Sequence, residues 1–155
     1  MSRKGWAFMK RFVVPHFDSD DDYLRRLRIV ETPLFGLYLH RIGTPDSRPT
    51  LHDHPWNFTA FVLRGGYTER RLDPKTMRVC ARRVRHVNRM RTHDFHAITE
   101  LLRVPTWTLV FVGRRARTWG YLEEIGWPNQ HWMWTAFDQH PHNDEFVAAL
   151  QRRAS

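Results

Sequence analysis

Residues 51–66 read LHDHPWNFTAFVLRGG, with two histidines one residue apart at the mouth of an apolar run that ends on two glycines. On an extended chain His52 and His54 leave the same face while Asp53 points the other way. Two neutral imidazoles so placed reach one metal ion, and a neighbouring strand need add only one or two more donors. The nearest supply downstream is THDFHAI, 92–98, where His93 and His96 flank a short apolar run. Three neutral histidines with open coordination positions leave room on iron(II) for both a substrate and dioxygen. Around zinc(II) the same set would acidify a bound water or polarise a carbonyl. Histidine is abundant, ten in 155 residues, and His16, His40, His86, His131, His140 and His142 read as surface or hydrogen-bonded groups.

These side chains need strands to carry them. FGLYLHRI, within 34–42, alternates bulky apolar and other residues, and GTPDSRPT, 43–50, is a loop by its Gly, Pro, Asp and Ser content. Short apolar runs follow at 57–64, 67–72, 77–87, 93–98, 106–112 and 117–122, punctuated by Gly65-Gly66, Asp73-Pro74 and Gly113. Many short strands with no long helical pattern between them predict an all-β barrel or sandwich. The ends read differently. DSDDDYLRRLR, 18–28, has the charge order of a short helix with carboxylates at its N-terminus. Asn143-Asp144-Glu145 opens a C-terminal helix with Phe146, Val147 and Leu150 at helical spacing and Arg152 and Arg153 closing it. The length suits one domain over 1–155, with a barrel core over about 35–122, an N-terminal arm over 1–33, and a Trp- and His-rich loop plus helix over 123–155.

Hydrophobic residues make up 41% of the chain, enough to offset the entropy of ordering. The +9 net charge favours anionic partners. RRVRHVNRMR, 82–91, is the strongest signal for single-stranded nucleic acid, a partner not favoured because Val and Met alternate with Arg there as on an edge strand with one wet face. Cys80 is alone, which excludes an intramolecular disulfide and a zinc site built on thiolates, and makes a cytoplasmic setting the expectation. No apolar stretch is long enough to span a bilayer as a helix.

HDHPW, the apolar strand after it and GGYTE resemble the first metal-binding motif of the cupin superfamily, whose His-x-His pair leads a barrel strand ending near a glycine. His96, 42 residues after His54 (96 − 54), stands where the second cupin motif places its histidine, and TWTLVFVG, 106–113, resembles the strand that closes that motif. HDHPW, GGY and the WTL…WGY ending are also similar to uncharacterised small cupin-domain proteins of bacteria and phages. The resemblance covers roughly residues 35–122. It implies a double-stranded β-helix (jelly-roll barrel) and a divalent metal on His52, His54 and His96, with iron(II) favoured and zinc or nickel as alternatives. His93 falls on the opposite parity from His96. The family's glutamate four or five residues after the second histidine is replaced here by Phe58 and Thr59, which leaves a three-histidine site or one completed by water or Glu69.

A dioxygenase-like oxidoreductase acting on a small, anionic or aromatic substrate is the function this resemblance implies. A metal-free isomerase, epimerase or ligand-binding protein is the other class. Tyr67 and Glu69, on the adjacent strand, are the acid/base candidates. Tyr38, His40, Trp56, Trp107 and Trp119, with Tyr121, are candidates for the pocket. Arg41, Arg64, Arg91 and Arg103 are of the type that receives a carboxylate or phosphate. Edge strands and the apolar loop GWPNQHWMW point to a homodimer.

Overall fold

The structure, a computed structural model, describes residues 7–15, 22–46, 50–125 and 131–140, with side chains from Tyr23 onward. The strands are β1 (Ala7–Pro15), β2 (Asp22–Glu31), β3 (Gly36–Ile42), β4 (Leu51–His52), β5 (Phe58–Arg64) and β6 (Tyr67–Asp73). They continue as β7 (Arg78–Val84), β8 (Val87–Met90), β9 (His96–Leu101), β10 (Thr106–Val112), β11 (Gly120–Ile125) and β12 (His131–Ala136). They pair antiparallel into two six-stranded sheets, ordered β1-β2-β3-β10-β5-β8 and β12-β11-β4-β9-β6-β7. Leu24 and Ile42 of the first sheet pack with Tyr67, Val84 and Ile98 of the second, so the two sheets face one another across a shared core.

Two sheets with free edges replace the expected closed barrel. Among the described residues no pairing joins β8 to β7 or β1 to β12. Arg85 and His86 carry the chain from the edge of one sheet to the edge of the other. The strands they connect expose Arg82, Arg83 and Arg89, and a row of charge is what keeps an edge from pairing further. The run 82–91 is thus split between two edges.

The expected N-terminal helix is also replaced, because residues 22–31 form β2, bonded on one side to β1 and on the other to β3. Helix propensity and an acid-first charge order are weak priors beside two ladders of hydrogen bonds and the burial of Leu24. The period that wins is two: Leu24 pairs with Ile42, Arg26 with His40 and Arg28 with Tyr38. The expected C-terminal helix lies outside the described residues, among which the one helical element is a 3-10 turn over Phe137–Gln139.

Gly65-Gly66 carries the chain from β5 in the first sheet to β6 in the second. Both have positive φ, +89° and +127°, and a Cβ on Gly65 would stand 2.5 Å from the Thr106 hydroxyl. Only glycine meets both demands.

On the outer face of the first sheet the register aligns Leu27, Leu39, Leu109, Phe61 and Val87 in one row. Phe61 and Val87 in that row, and Leu63 and Phe111 beside it, are exposed. Residues 126–130, part of the loop on which the dimer expectation rested, lie outside the described residues. No helix of the described chain is long and apolar enough to cross a membrane.

Candidate metal centre

β4 is only two residues long, and it sits between β9 and β11, where His52 is the register partner of both His96 and Tyr121. Parity then sorts the side chains. Leu51, Ala97 and Leu122 join Leu72 in a separate apolar cluster on one face of the second sheet, while His52, His96 and Tyr121 occupy the other. His54 follows past the end of β4 and closes the group. The ring centroids lie 5.3 Å (His52 to His54), 4.8 Å (His52 to His96) and 5.1 Å (His54 to His96) apart. One ligating nitrogen from each ring falls within 4.8 Å of the others. The three histidines singled out in the sequence are together.

Each outer ring has a partner that frees one nitrogen. His96 Nδ1 is 2.8 Å from Glu69 Oε2 and donates to it, leaving Nε2 turned toward His54. His52 donates to the Thr50 carbonyl. His54 Nε2 and His96 Nε2 face one another 2.9 Å apart. Burial lowers the His52 pKa to about 4, against the opposing pull of Asp46. It also holds His54 well below the usual histidine range, helped by the neighbouring His96 and His52. An unprotonated imidazole is the form that binds a metal. The donor set therefore fits a divalent ion.

Glu69 is wholly buried. Asn88 Nδ2 donates to its Oε2 at 2.9 Å and to the Tyr67 hydroxyl at 3.0 Å. Arg71 Nη1 donates in turn to Asn88 Oδ1 at 3.3 Å, and Arg71 Nη2 to Asp94 Oδ2 at 2.7 Å. Glu69 Oε1 has no hydrogen-bond partner, and the guanidiniums of Arg71 and Arg82 stand 3.8 and 3.9 Å away. Burial pushes the Glu69 carboxyl up, yet the His96 hydrogen bond and charge, with Arg71 and Asn88, outweigh it and hold the group below the usual carboxylate range. Burial raises the Tyr67 phenol, with the Glu69 charge adding to it. Glu69 thus lies on the Nδ1 side of His96, away from the face shared with His54.

Of the predicted pocket residues, Tyr38 is buried in the interior with Ala60, Val110 and Val112, and Trp56 packs against that cluster. His40 accepts from Arg26 Nε at 2.8 Å. Trp119 lies 6.3 Å from the His52 ring, centre to centre, and stacks on Phe137 at 4.2 Å. Trp107 takes the outer parity of β10, between buried Thr106 and Thr108, and the structure does not bring it to the histidines. Phe58, standing where the family's glutamate would be, puts its ring edge-on to His54 at 4.8 Å. His93 Nδ1 is bonded to Arg117 at 2.9 Å, apart from the cluster.

Sequence reasoning gave no role to Asp53 or Arg26. Asp53 is wholly buried; its carboxylate accepts from the Gly120 N–H at 2.7 Å and the Trp134 indole at 3.1 Å, with Arg117 at 3.2 Å. It clips the β11–β12 hairpin to the histidine segment. Arg26 faces the interior from β2, outside the stretch the resemblance covers, and only the two-residue alternation Leu24, Arg26, Arg28 signals it. A surface cleft of about 680 Å³ lies at the β5–β8 edge, with Arg71, Arg89, Arg91 and Asp94 on its walls and Phe58 and Met90 at its inner side. Arg91 belongs to this cleft rather than to the histidine site.

No family model matches the chain, and no curated protein matches it. Among solved structures it is similar to an FeII HppE, with TM-score 0.50 and 20% identity over 68% of this chain and 56% of that one. It is also similar to the capsular polysaccharide assembling protein CapF of Staphylococcus aureus, with TM-score 0.53 and 13% identity over 83% of this chain and 32% of that one. The chain spans little more than half the length of the first of these and about a third of the second. At such identities the likeness concerns the fold alone. Two facing antiparallel sheets carrying a three-histidine cluster make this a cupin-like, double-stranded β-helix type of fold.

Proposed function

We propose that the protein is a metal-dependent enzyme in which His52, His54 and His96 hold a divalent ion, iron(II) by preference, and that it oxidises a small molecule. The carrying observation is the convergence of three ring nitrogens within 4.8 Å, two of them from rings whose environment keeps them unprotonated. The similarity to an FeII enzyme of the same fold class favours iron among the metals such a donor set takes. A bound iron(II) ion with three protein nitrogens would supply open positions for a substrate and dioxygen.

The chain's own residues divide the remaining work. Glu69 holds the proton on His96 Nδ1, which fixes the tautomer and aims Nε2 at the site. Asn88, anchored by Arg71, holds Glu69 in turn. Phe58 takes the place of a fourth protein ligand and covers one side of His54 with an apolar ring. Trp119 and Tyr121 border His52. Glu69 acts through His96, as a positioning residue; with its hydrogen-bonding oxygen already shared by His96 and Asn88, it is poorly placed to exchange protons with a substrate.

The test is oxygen uptake after anaerobic loading with iron(II), over a panel of small carboxylates, thiols and phenols. The reading expects iron-dependent uptake with at least one class, absent from zinc-loaded protein and from His54→Ala. No uptake with any class at any iron loading would overturn the oxidative reading, and isomerisation of a substrate by metal-free protein, with no oxygen consumed, would move the protein to the metal-free isomerase class.

A further inference from the structure

Arg26 presents to the interior a guanidinium that Glu31, already paired with Arg28, reaches only through its longer-range charge. Its strand neighbour Leu24 is buried, and its register partner His40 faces the same way. The guanidinium carbon lies 5.1 Å from the centre of the Tyr38 ring, and Nε donates to His40 Nε2 at 2.8 Å. Among the described residues no carboxylate lies within ion-pairing distance of it. Arg28, one inward position along, is neutralised by Glu31 at 2.8 Å, Asp46 receives the Ile98 N–H at 2.6 Å, and Glu69 is held by His96. Interior guanidiniums are ordinarily paired, since an unanswered charge away from bulk water is costly.

The side chains around Arg26 lead to the metal centre. Tyr38 belongs to the interior cluster against which Phe58 packs, and the Phe58 ring touches His54. Arg26 and His40 both act electrostatically on His54. The interior positions Tyr23, Arg26, His40, His52, His54 and Tyr121 are each partly exposed, whereas Leu24, Ile42 and Tyr38 beside them are buried. Each of these six side chains thus keeps some exposed surface within an otherwise buried group.

We infer that Arg26, braced by His40 and Tyr38, is the anchor for a single carboxylate on the substrate, holding that substrate with its other end toward the three histidines. With Nε committed to His40, the two terminal nitrogens are left as a fork, and a fork of two parallel N–H donors matches the two oxygens of a carboxylate. One guanidinium, with Arg28 already paired, suits one negative charge better than the two of a phosphate monoester. The inference rests on the metal-dependent reading for its geometry, while Arg26 binds its carboxylate whether or not the metal is present.

The test uses benzoate and glycolate as probes, with benzamide, glycolamide and methylphosphonate as controls. Affinities are measured by calorimetry on metal-loaded full-length protein, on metal-free protein, and on Arg26→Gln. The carboxylates are expected to bind, the amides to bind at least tenfold more weakly, methylphosphonate more weakly than the carboxylates, and Arg26→Gln to lose the carboxylate preference while taking up metal as before. Nitrogen-15 resonances of the Arg26 guanidinium in the unaltered protein supply a second readout, independent of whether the variant folds. They should shift with benzoate and stay still with benzamide. Equal affinity for acid and amide, undiminished carboxylate binding by Arg26→Gln, or an unmoved guanidinium resonance overturns the assignment. Carboxylate binding that depends on Arg26 in protein that takes up no metal would support the anchor and remove the metal reading alone.

Discussion

Among the described residues two carboxylates are completely buried, one under the β11–β12 hairpin and one in the wall beside the histidines, and they differ in how their oxygens are used. Asp53 spends both oxygens on fixed structure, a backbone N–H, an indole and a guanidinium. Burial nevertheless pushes its pKa up. Glu69 spends one oxygen on an imidazole and an amide and leaves the other without a hydrogen bond, yet against burial its pKa is held down by His96, Arg71 and Asn88. A buried acid whose lone pairs are all directed at scaffold is a strut. One that shares its charge with a histidine aimed at other histidines belongs to a site.

That contrast makes the two acids separable by substitution. Asp53→Ala is expected to cost about 3 kcal/mol, since it strands a buried N–H and indole and unpairs Arg117. For a chain of this length the melting midpoint would fall by roughly 10 °C. Glu69→Gln keeps the shape but weakens the brace on His96, and about a 10- to 100-fold loss of metal affinity is expected with a smaller thermal shift. Melting curves and metal titrations of both variants, side by side, sort them. A Glu69 variant that melts much lower but binds metal normally would erase the distinction.

Acid titration separates the histidine wall from the rest of the chain. Burial holds His40 and His54 well below their ordinary values and His52 at about 4. Below about pH 6.5 the unfolded chain takes up protons that the folded one refuses. Metal-free protein should therefore lose stability steadily as pH falls from about 6.5 toward about 4, and none of this loss should occur above it. Denaturant midpoints across that range check it, and a flat profile would mean the rings are freely hydrated. The smallest effect is expected at the sheet-to-sheet crossing, where Gly65→Ala meets both a positive φ and the Thr106 hydroxyl and costs about 1–2 kcal/mol. An unchanged midpoint there would show that the crossing relaxes.

The histidine cluster was legible because a His-x-His spacing is a local fact that a strand turns directly into geometry, and His96 followed from the motif it resembles. The strands from 57 to 64 and 106 to 112 were legible for the same reason, since punctuation bounded each apolar run. β2 was not, because Leu24-Arg25-Arg26-Leu27-Arg28 fits a helical period as well as a strand period, and only its pairing with β1 and β3 decides. Closure was misjudged because whether two sheets join at their edges depends on which residues end up there, and that is set by topology. Asp53 escaped notice because its partners, Gly120 and Trp134, lie 67 and 81 positions away.

The most direct test of the account is the metal content of protein purified without a metal-affinity tag, compared with a variant carrying both His52→Ala and His54→Ala. The account predicts about one divalent ion per chain in the first, iron above the others after loading under reducing conditions, and none in the folded variant. No uptake by the unaltered chain, or equal uptake by both, would contradict it.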